Sequence, residues 1–264
     1  MLRQRVITAL VLAPFVFLVI LWVPHPITAA VLSLLVLAGA WEWSAFPGFT
    51  QYSARLAYVA FIAACVVATW YAGVDDTQAD FLLQAALAWW VLALLWIALA
   101  PGKVNRATAA IAGLFVLVPV WLALVRLHAQ KPQLLLFLLL LVVAADIGAY
   151  FAGGAFGKHK LAPKVSPGKT WEGVFGGLVA AALMAMVGVW WFNMNTVPFL
   201  ALCLVVVVAS VVGDLTESLF KRHAGLKDSG SLLPGHGGVL DRVDSVTAAA
   251  PVFVIGLERL GLLQ

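Results

Sequence analysis

Apolar residues fill most of the chain in long blocks, separated by short breaks rich in proline, glycine or charge. Nine blocks stand out, at roughly 6–23, 27–45, 55–73, 81–100, 107–126, 134–153, 173–192, 197–219 and 245–262. The breaks include Pro24-His25-Pro26, Pro47-Gly48, Asp75-Asp76, Pro101-Gly102-Lys103, Lys131-Pro132 and Asn193-Met194-Asn195. A helix needs about 20 apolar residues to cross about 30 Å of hydrocarbon, and most of these blocks meet that length. The pattern predicts an all-α, strand-free, polytopic integral membrane protein with about nine transmembrane helices. The ninth block is the weakest candidate, being short and carrying Glu258 and Arg259. The first follows Arg3 and Arg5 like a signal peptide, but no small-residue cleavage site follows it. It reads as a retained span.

Composition agrees with the pattern. Of 264 residues, 64% are hydrophobic and 11% charged, against roughly 25% charged in soluble domains. With the N-terminus inside and the spans alternating, inner segments hold Arg3, Arg5, Arg55, Lys103, Arg106, Lys158, Lys160, Lys164, Lys169, Lys221, Arg222, Lys227 and Arg242. Outer segments hold Arg126, Lys131 and Arg259. That bias orients the chain N-in and C-out. It also accounts for the net charge of +4 without a nucleic-acid partner. Cys65 and Cys203 sit in apolar runs without partner spacing, which excludes a disulfide framework or zinc site. Trp22, Trp41, Trp43, Trp70, Trp121, Trp190 and Trp191 lie near the span ends, where interfacial tryptophans are expected.

The chain divides by character. Residues 1–140 read as a scaffold of spans, with Glu42, Asp75, Asp76 and Asp80 as their acids. Residues 141–264 read as the catalytic region, with two cytoplasmic loops, and residues 146–244 hold seven of the twelve acids. Asp146 lies inside the sixth run, Asp214 and Glu217 at the inner end of the eighth, and Asp241 and Asp244 just before the ninth. A carboxylate within a span costs about 2.5–3.5 kcal/mol even on the mildest scale, so such groups face water, a cation or a basic partner.

Spacing refines this. On a helix Asp214, Glu217, Ser218 and Lys221 stand at i, i+3, i+4 and i+7 and share one face, while Val211, Val212, Leu215 and Leu219 form an apolar one. The shared face is expected to line a cavity. Asp241 and Asp244 add two acids from a second segment, and carboxylates from separate segments suit a magnesium ion. Between them, residues 227–238 combine Lys227, Asp228 and Ser229 with Gly235-His236-Gly237-Gly238. Such glycine-rich loops expose backbone N–H groups to phosphates, and His236 is expected to donate to one. The earlier loop repeats the theme, with Lys158, Lys160, Lys164, Ser166, Lys169 and Thr170 beside Gly157 and Gly168. His25 and His128 fall in predicted outer loops and read as solvated. On residues alone an ion transporter using Asp146 and Asp214 stays open beside a phosphoryl-group enzyme.

The stretch SLFKRHAGLKDSGSLLPGHGGVLDRVD at 218–244 resembles the diagnostic segment of phosphatidate cytidylyltransferases, the CDP-diacylglycerol synthases. DIGAYFAGGAFGKHKLAPKVSPGKTWEG at 146–173 is also similar, departing at Ile147, where a serine or threonine is expected. The resemblance covers residues 146–250 well; residues 1–140 match as apolar spans. It implies a dimeric, multi-pass enzyme of a bacterial-type inner membrane. The implied activity joins CTP to phosphatidic acid at the cytoplasmic side with Mg2+. It implies Asp214 and Asp241 as metal ligands with Asp244 close by, and Asp146 near them or on a second cation. It further implies Lys221 in catalysis, and Ser218, Arg222, Lys227, Asp228, His236, Gly237, Gly238 and Arg242 in substrate binding. The loop of Ser166, Lys169 and Thr170 would help close the site. Alternatives are a cytidylyltransferase or CTP-dependent kinase acting on another lipid, such as an isoprenoid-ether phosphate.

Overall fold

The computed structural model describes residues 14–73, 77–102, 104–230, 232 and 237–261. Residues 14–22 are helical (α1). They are followed by α2 (His25–Trp43), α3 (Tyr52–Ala72), α4 (Thr77–Leu99), α5 (Arg106–Gln130) and α6 (Pro132–Phe156). Then come β1 (Lys160–Ala162), β2 (Ser166–Thr170), α7 (Trp171–Phe192), α8 (Thr196–His223) and α9 (Leu240–Arg259). In lipid every backbone polar group must bond within its own segment, which the apolar blocks achieve as helices. Helices α2 to α8 are long and apolar enough to cross a membrane. The chain is a multi-pass membrane protein.

The ends of the helices follow local chemistry. Asn105 Oδ1 accepts from the Thr108 N–H at 2.9 Å, and Thr108 Oγ1 accepts from the Asn105 N–H at 3.0 Å. This reciprocal capping box starts α5. Thr170 Oγ1 accepts from the Gly173 N–H at 3.1 Å and starts α7. Helix α9 has no side-chain cap of its own.

Helix α9 differs from a plain span. It packs against α2, α4, α5, α6 and α8, and Ala248, Ala249, Ala250, Phe253, Val254 and Leu257 are fully enclosed. Surrounded by protein, it tolerates charged ends that a lipid-facing helix would not. It begins at Leu240, so Asp241 and Asp244 lie in its first turns instead of preceding it. At its far end Glu258 pairs with Arg126 at 3.2 Å, and Arg126 also meets Asp80 at 2.6 Å.

Three expectations are corrected. The chain is not strand-free: β1 and β2 pair antiparallel, with Lys160 opposite Thr170 and Ala162 opposite Ser166. The hairpin forms because Val165 is buried with Ile97, Leu215 and Leu219, which anchors its tip to α4 and α8. Trp43 and Trp121 are core residues, not interfacial ones. Their indole N–H groups donate to Ala109 O at 2.8 Å and Ser33 Oγ at 2.9 Å, so they tie α2 to α5. His128 is buried within α5 and not solvated, bonded to Ile20 O at 3.0 Å and to His25 at 3.1 Å.

The contact that places the site is between α6 and α7. Small residues let the two backbones meet: a Cβ added at Gly148 would lie 2.6 Å from Gly176 O, and Gly177 faces Ala145 O. This is the small-residue packing by which membrane helices associate. A Cβ at Gly176 would meet the Ala152 methyl carbon far inside van der Waals distance. Gly176→Val is therefore expected to destabilise the protein by about 1–3 kcal/mol, the usual cost of overpacking. Thermal unfolding in detergent measures this, and an unchanged midpoint would show that the helices have room to part.

Candidate active site

Four elements deliver the acids and lysines to one end of the bundle. The last turns of α6 carry Asp146, β2 carries Lys169 and Thr170, the last turns of α8 carry Asp214 to Lys221, and the first turns of α9 carry Asp241 and Asp244. Between α6, α7, α8 and the hairpin lies a cavity of about 480 Å³. Asp146, Lys169, Thr170, Ser210, Asp214 and Ser245 supply its polar wall. Gly153, Gly154, Gly168 and Gly173 leave the opposite wall as bare backbone. Backbone of that kind allows a phosphate or sugar to approach closely.

Lys169 Nζ lies 2.5 Å from Asp214 Oδ2, and the Ser218 hydroxyl donates to Asp214 Oδ1 at 3.3 Å. Lys221 bridges two acids. Its Nζ is 3.1 Å from Glu217 Oε1 and 2.7 Å from Asp241 Oδ1. Asp241 Oδ2 accepts from the Ser229 and Gly238 N–H groups, each at 2.9 Å. This carboxylate thus joins both arms of the 229–238 loop to α8. Asp244 is partly buried between the two clusters, interacting with Asp214 and Glu217 on one hand and with Lys169 and Lys221 on the other.

The stripe expected on one face of α8 divides. Asp214 turns to the cavity with the Ser218 hydroxyl bonded to it, while Glu217 turns inward beside Trp43, Trp90, Thr216 and Thr247. Glu217 is 3% exposed and neither carboxylate oxygen accepts a hydrogen bond. Among the described residues the ion pair with Lys221 offsets its charge there.

Of the residues singled out in the sequence, Asp146, Lys169, Thr170 and Asp214 meet at the cavity, and Lys221, Asp241, Gly237 and Gly238 meet beside it. Gly237 adopts φ +82° and packs against Asp241, a conformation that favours glycine. Ser166 lies in the hairpin away from the cavity wall. Arg222, Lys227, Asp228 and Arg242 are exposed. His236 lies outside the described residues.

Could these groups hold a divalent cation? Among the described residues no three His, Cys, Asp or Glu side chains already converge as a ligand set. The donor chemistry nevertheless fits a hard cation. Asp146, Asp214 and Asp244 bring three carboxylates to a region whose nearest cations are Lys169 and Lys221, and magnesium takes few protein oxygens plus water and phosphate.

Glu42 was not legible as a site residue. It lies at the end of α2, is 2% exposed, and accepts from the Ser229 hydroxyl at 3.0 Å and from the Val239 and Leu240 N–H groups, each at 2.9 Å. The available signal was its isolation, as the sole acid between residues 1 and 74.

Comparison with known proteins places this arrangement. Residues 3–260 match the sequence model of the Cytidylyltransferase family. A phosphatidate cytidylyltransferase of Pseudomonas aeruginosa is 47% identical over 271 residues, covering 99% of this chain and 98% of the relative. One from Haemophilus influenzae is 40% identical over 280 residues, covering 96% and 97%. One from Staphylococcus aureus is 46% identical over 132 residues, about half of each chain at 49%.

Proposed function

The chain belongs to the cytidylyltransferase family, and from that premise we propose that it joins CTP to phosphatidic acid, releasing pyrophosphate and leaving CDP-diacylglycerol in the bilayer. The observation that carries this reading is the cavity at the end of apolar helices, walled by Asp146, Lys169 and Asp214 and floored by glycine backbone. Its position lets acyl chains stay in lipid while the headgroup meets a nucleotide arriving from water. The face that carries it is also the face where most lysines and arginines fall, which supports a cytoplasmic site in a bacterial-type inner membrane. A homodimer is part of the proposal, on the family resemblance.

The phosphate of phosphatidic acid is already an anion, so no strong base is needed. One of its oxygens forms a bond to the α-phosphorus of CTP, and the bond from that phosphorus to the bridging oxygen of pyrophosphate breaks. The obstacle is repulsion between anions. Lys169 places positive charge in the cavity wall, where it attracts the phosphates, and Lys221, paired with Asp241, is proposed to offset charge on the leaving group. Asp146, Asp214 and Asp244 would hold Mg2+, which supplies further charge neutralisation when bound. Asp241, expected as a metal ligand, has its oxygens engaged by Lys221 and by the Ser229 and Gly238 N–H groups, which supports a role in positioning Lys221 and the glycine loop instead. Ser218 and Thr170 keep Asp214 and the start of α7 in place. Ser166, Arg222, Lys227, Asp228, His236 and Arg242 are proposed to meet the phosphates as they enter.

The test is pyrophosphate release from detergent-solubilised protein given CTP and Mg2+, with and without phosphatidic acid. Release that requires the lipid, with the cytidine label recovered in a lipid product, is expected. Lipid-independent release, or none from folded protein, would refute the reading.

A further inference from the structure

Glu42 belongs to the half of the chain that looks like scaffold, yet its three hydrogen-bond donors among the described residues come from residues 229–240. Two of those donors are the Val239 and Leu240 N–H groups, which open α9. A helix start leaves N–H groups without partners and favours negative charge. Glu42 therefore caps α9 from another helix, and α9 has no cap of its own. The third donor, the Ser229 hydroxyl, lies on the opposite arm of the loop. Asp241 grips the same two arms through the Ser229 and Gly238 N–H groups. Two carboxylates thus tie one neck. Two glycines approach Glu42 closely: a Cβ on Gly230 would lie 2.6 Å from Glu42 Oε1, and one on Gly238 2.5 Å from Glu42 Oε2.

We infer that Glu42 is a positioning residue for CTP, holding Ser229, Gly230, Gly238 and the start of α9 in the form that receives the triphosphate. The inference rests on the proposed cytidylyltransferase activity for its substrate, but its structural half does not. Gln at this position keeps the shape but loses the charge and one of two acceptor oxygens. The neck then loses at least one charge-assisted bond, a roughly ten- to hundredfold weaker hold on Ser229 and on the start of α9.

The experiment compares wild type, Glu42→Gln, Ser229→Ala and the double variant in detergent by two readouts. Amide hydrogen exchange of residues 229–240 is expected to rise in Glu42→Gln by about tenfold, with the α6–α7 segment unchanged. KM for CTP is expected to rise by about tenfold, with kcat and the KM for phosphatidic acid little altered. The Ser229→Ala change is expected to be smaller, and not to add to Glu42→Gln, since both cut the same tie. Unchanged exchange, a loss confined to kcat, or fully additive variants would overturn the inference. A wild-type protein that makes no cytidine-labelled lipid would overturn the activity instead, while the exchange data would still decide whether Glu42 holds the neck. Should Glu42→Gln fail to fold, Ser229→Ala carries the same comparison with one smaller cut: faster exchange and a raised KM support the inference, and neither overturns it.

Discussion

Asp214→Asn is expected to cut lipid-dependent pyrophosphate release by about a thousandfold while the protein stays folded. Asparagine has nearly the same shape, and the position is at the cavity wall, so packing is preserved. What disappears is a full negative charge 2.5 Å from Lys169, in the region shared with Asp146 and Asp244. At about 4 Å and an effective dielectric near 20, one unit charge is worth about 4 kcal/mol, which is roughly a thousandfold in rate. The loss is expected in kcat. Lys169 is released from its partner and remains available to phosphate, so the KM for CTP should hold or fall. Steady-state kinetics with circular dichroism as a folding control would decide. Turnover within threefold of wild type across a range of Mg2+ would rule out the role given to Asp214.

Lys221→Met is expected to damage stability as well as activity. Lys221 is 8% exposed and sits between Glu217 and Asp241. Methionine fills similar space, but leaves the Glu217 carboxylate buried without the lysine that pairs with it and with no hydrogen-bond donor among the described residues. Breaking a buried pair from one side costs about 3–5 kcal/mol, on the order of 10 °C in melting temperature for a chain of this size. Adding Glu217→Gln should recover part of that loss, because the stranded charge goes with it. It should not restore turnover, since Asp241 still lacks its lysine. A Lys221→Met protein that melts with wild type, or a double variant no more stable than the single, would show that the pair is not what holds α8 to α9.

The helices were legible because lipid imposes one rule along each span, and that rule is written in uninterrupted apolar runs such as 134–153. Asp146, Asp214, Asp241 and Asp244 were legible for the converse reason, as exceptions to it. The hairpin was not, since Lys160–Ala162 and Ser166–Thr170 show no alternation and include Pro167 and Gly168. It is held by burial of Val165 against distant residues, which no local pattern encodes. Helical spacing correctly joined Glu217 to Lys221, but could not say that Trp43 and Trp90 would stand against that face. Trp43 and Trp121 resemble interfacial residues in sequence, and only their partners Ala109 and Ser33 place them in the core. Glu42 fails for the same reason, with partners 187 to 198 positions away.

That separation bears on how the protein is made. Glu42 enters the membrane on the second helix, while the groups that satisfy it are synthesised with the last. Through most of translation its carboxylate has none of the donors it finally uses, and it stays at the wet edge of the bilayer. Arrival of α9 supplies these donors together with Asp241 and Asp244. Burial of Glu42 and completion of the acidic cluster are thereby one event. A chain that stops short of α9 leaves a set of helices in which Glu42 lacks the Val239 and Leu240 donors it uses in the finished fold.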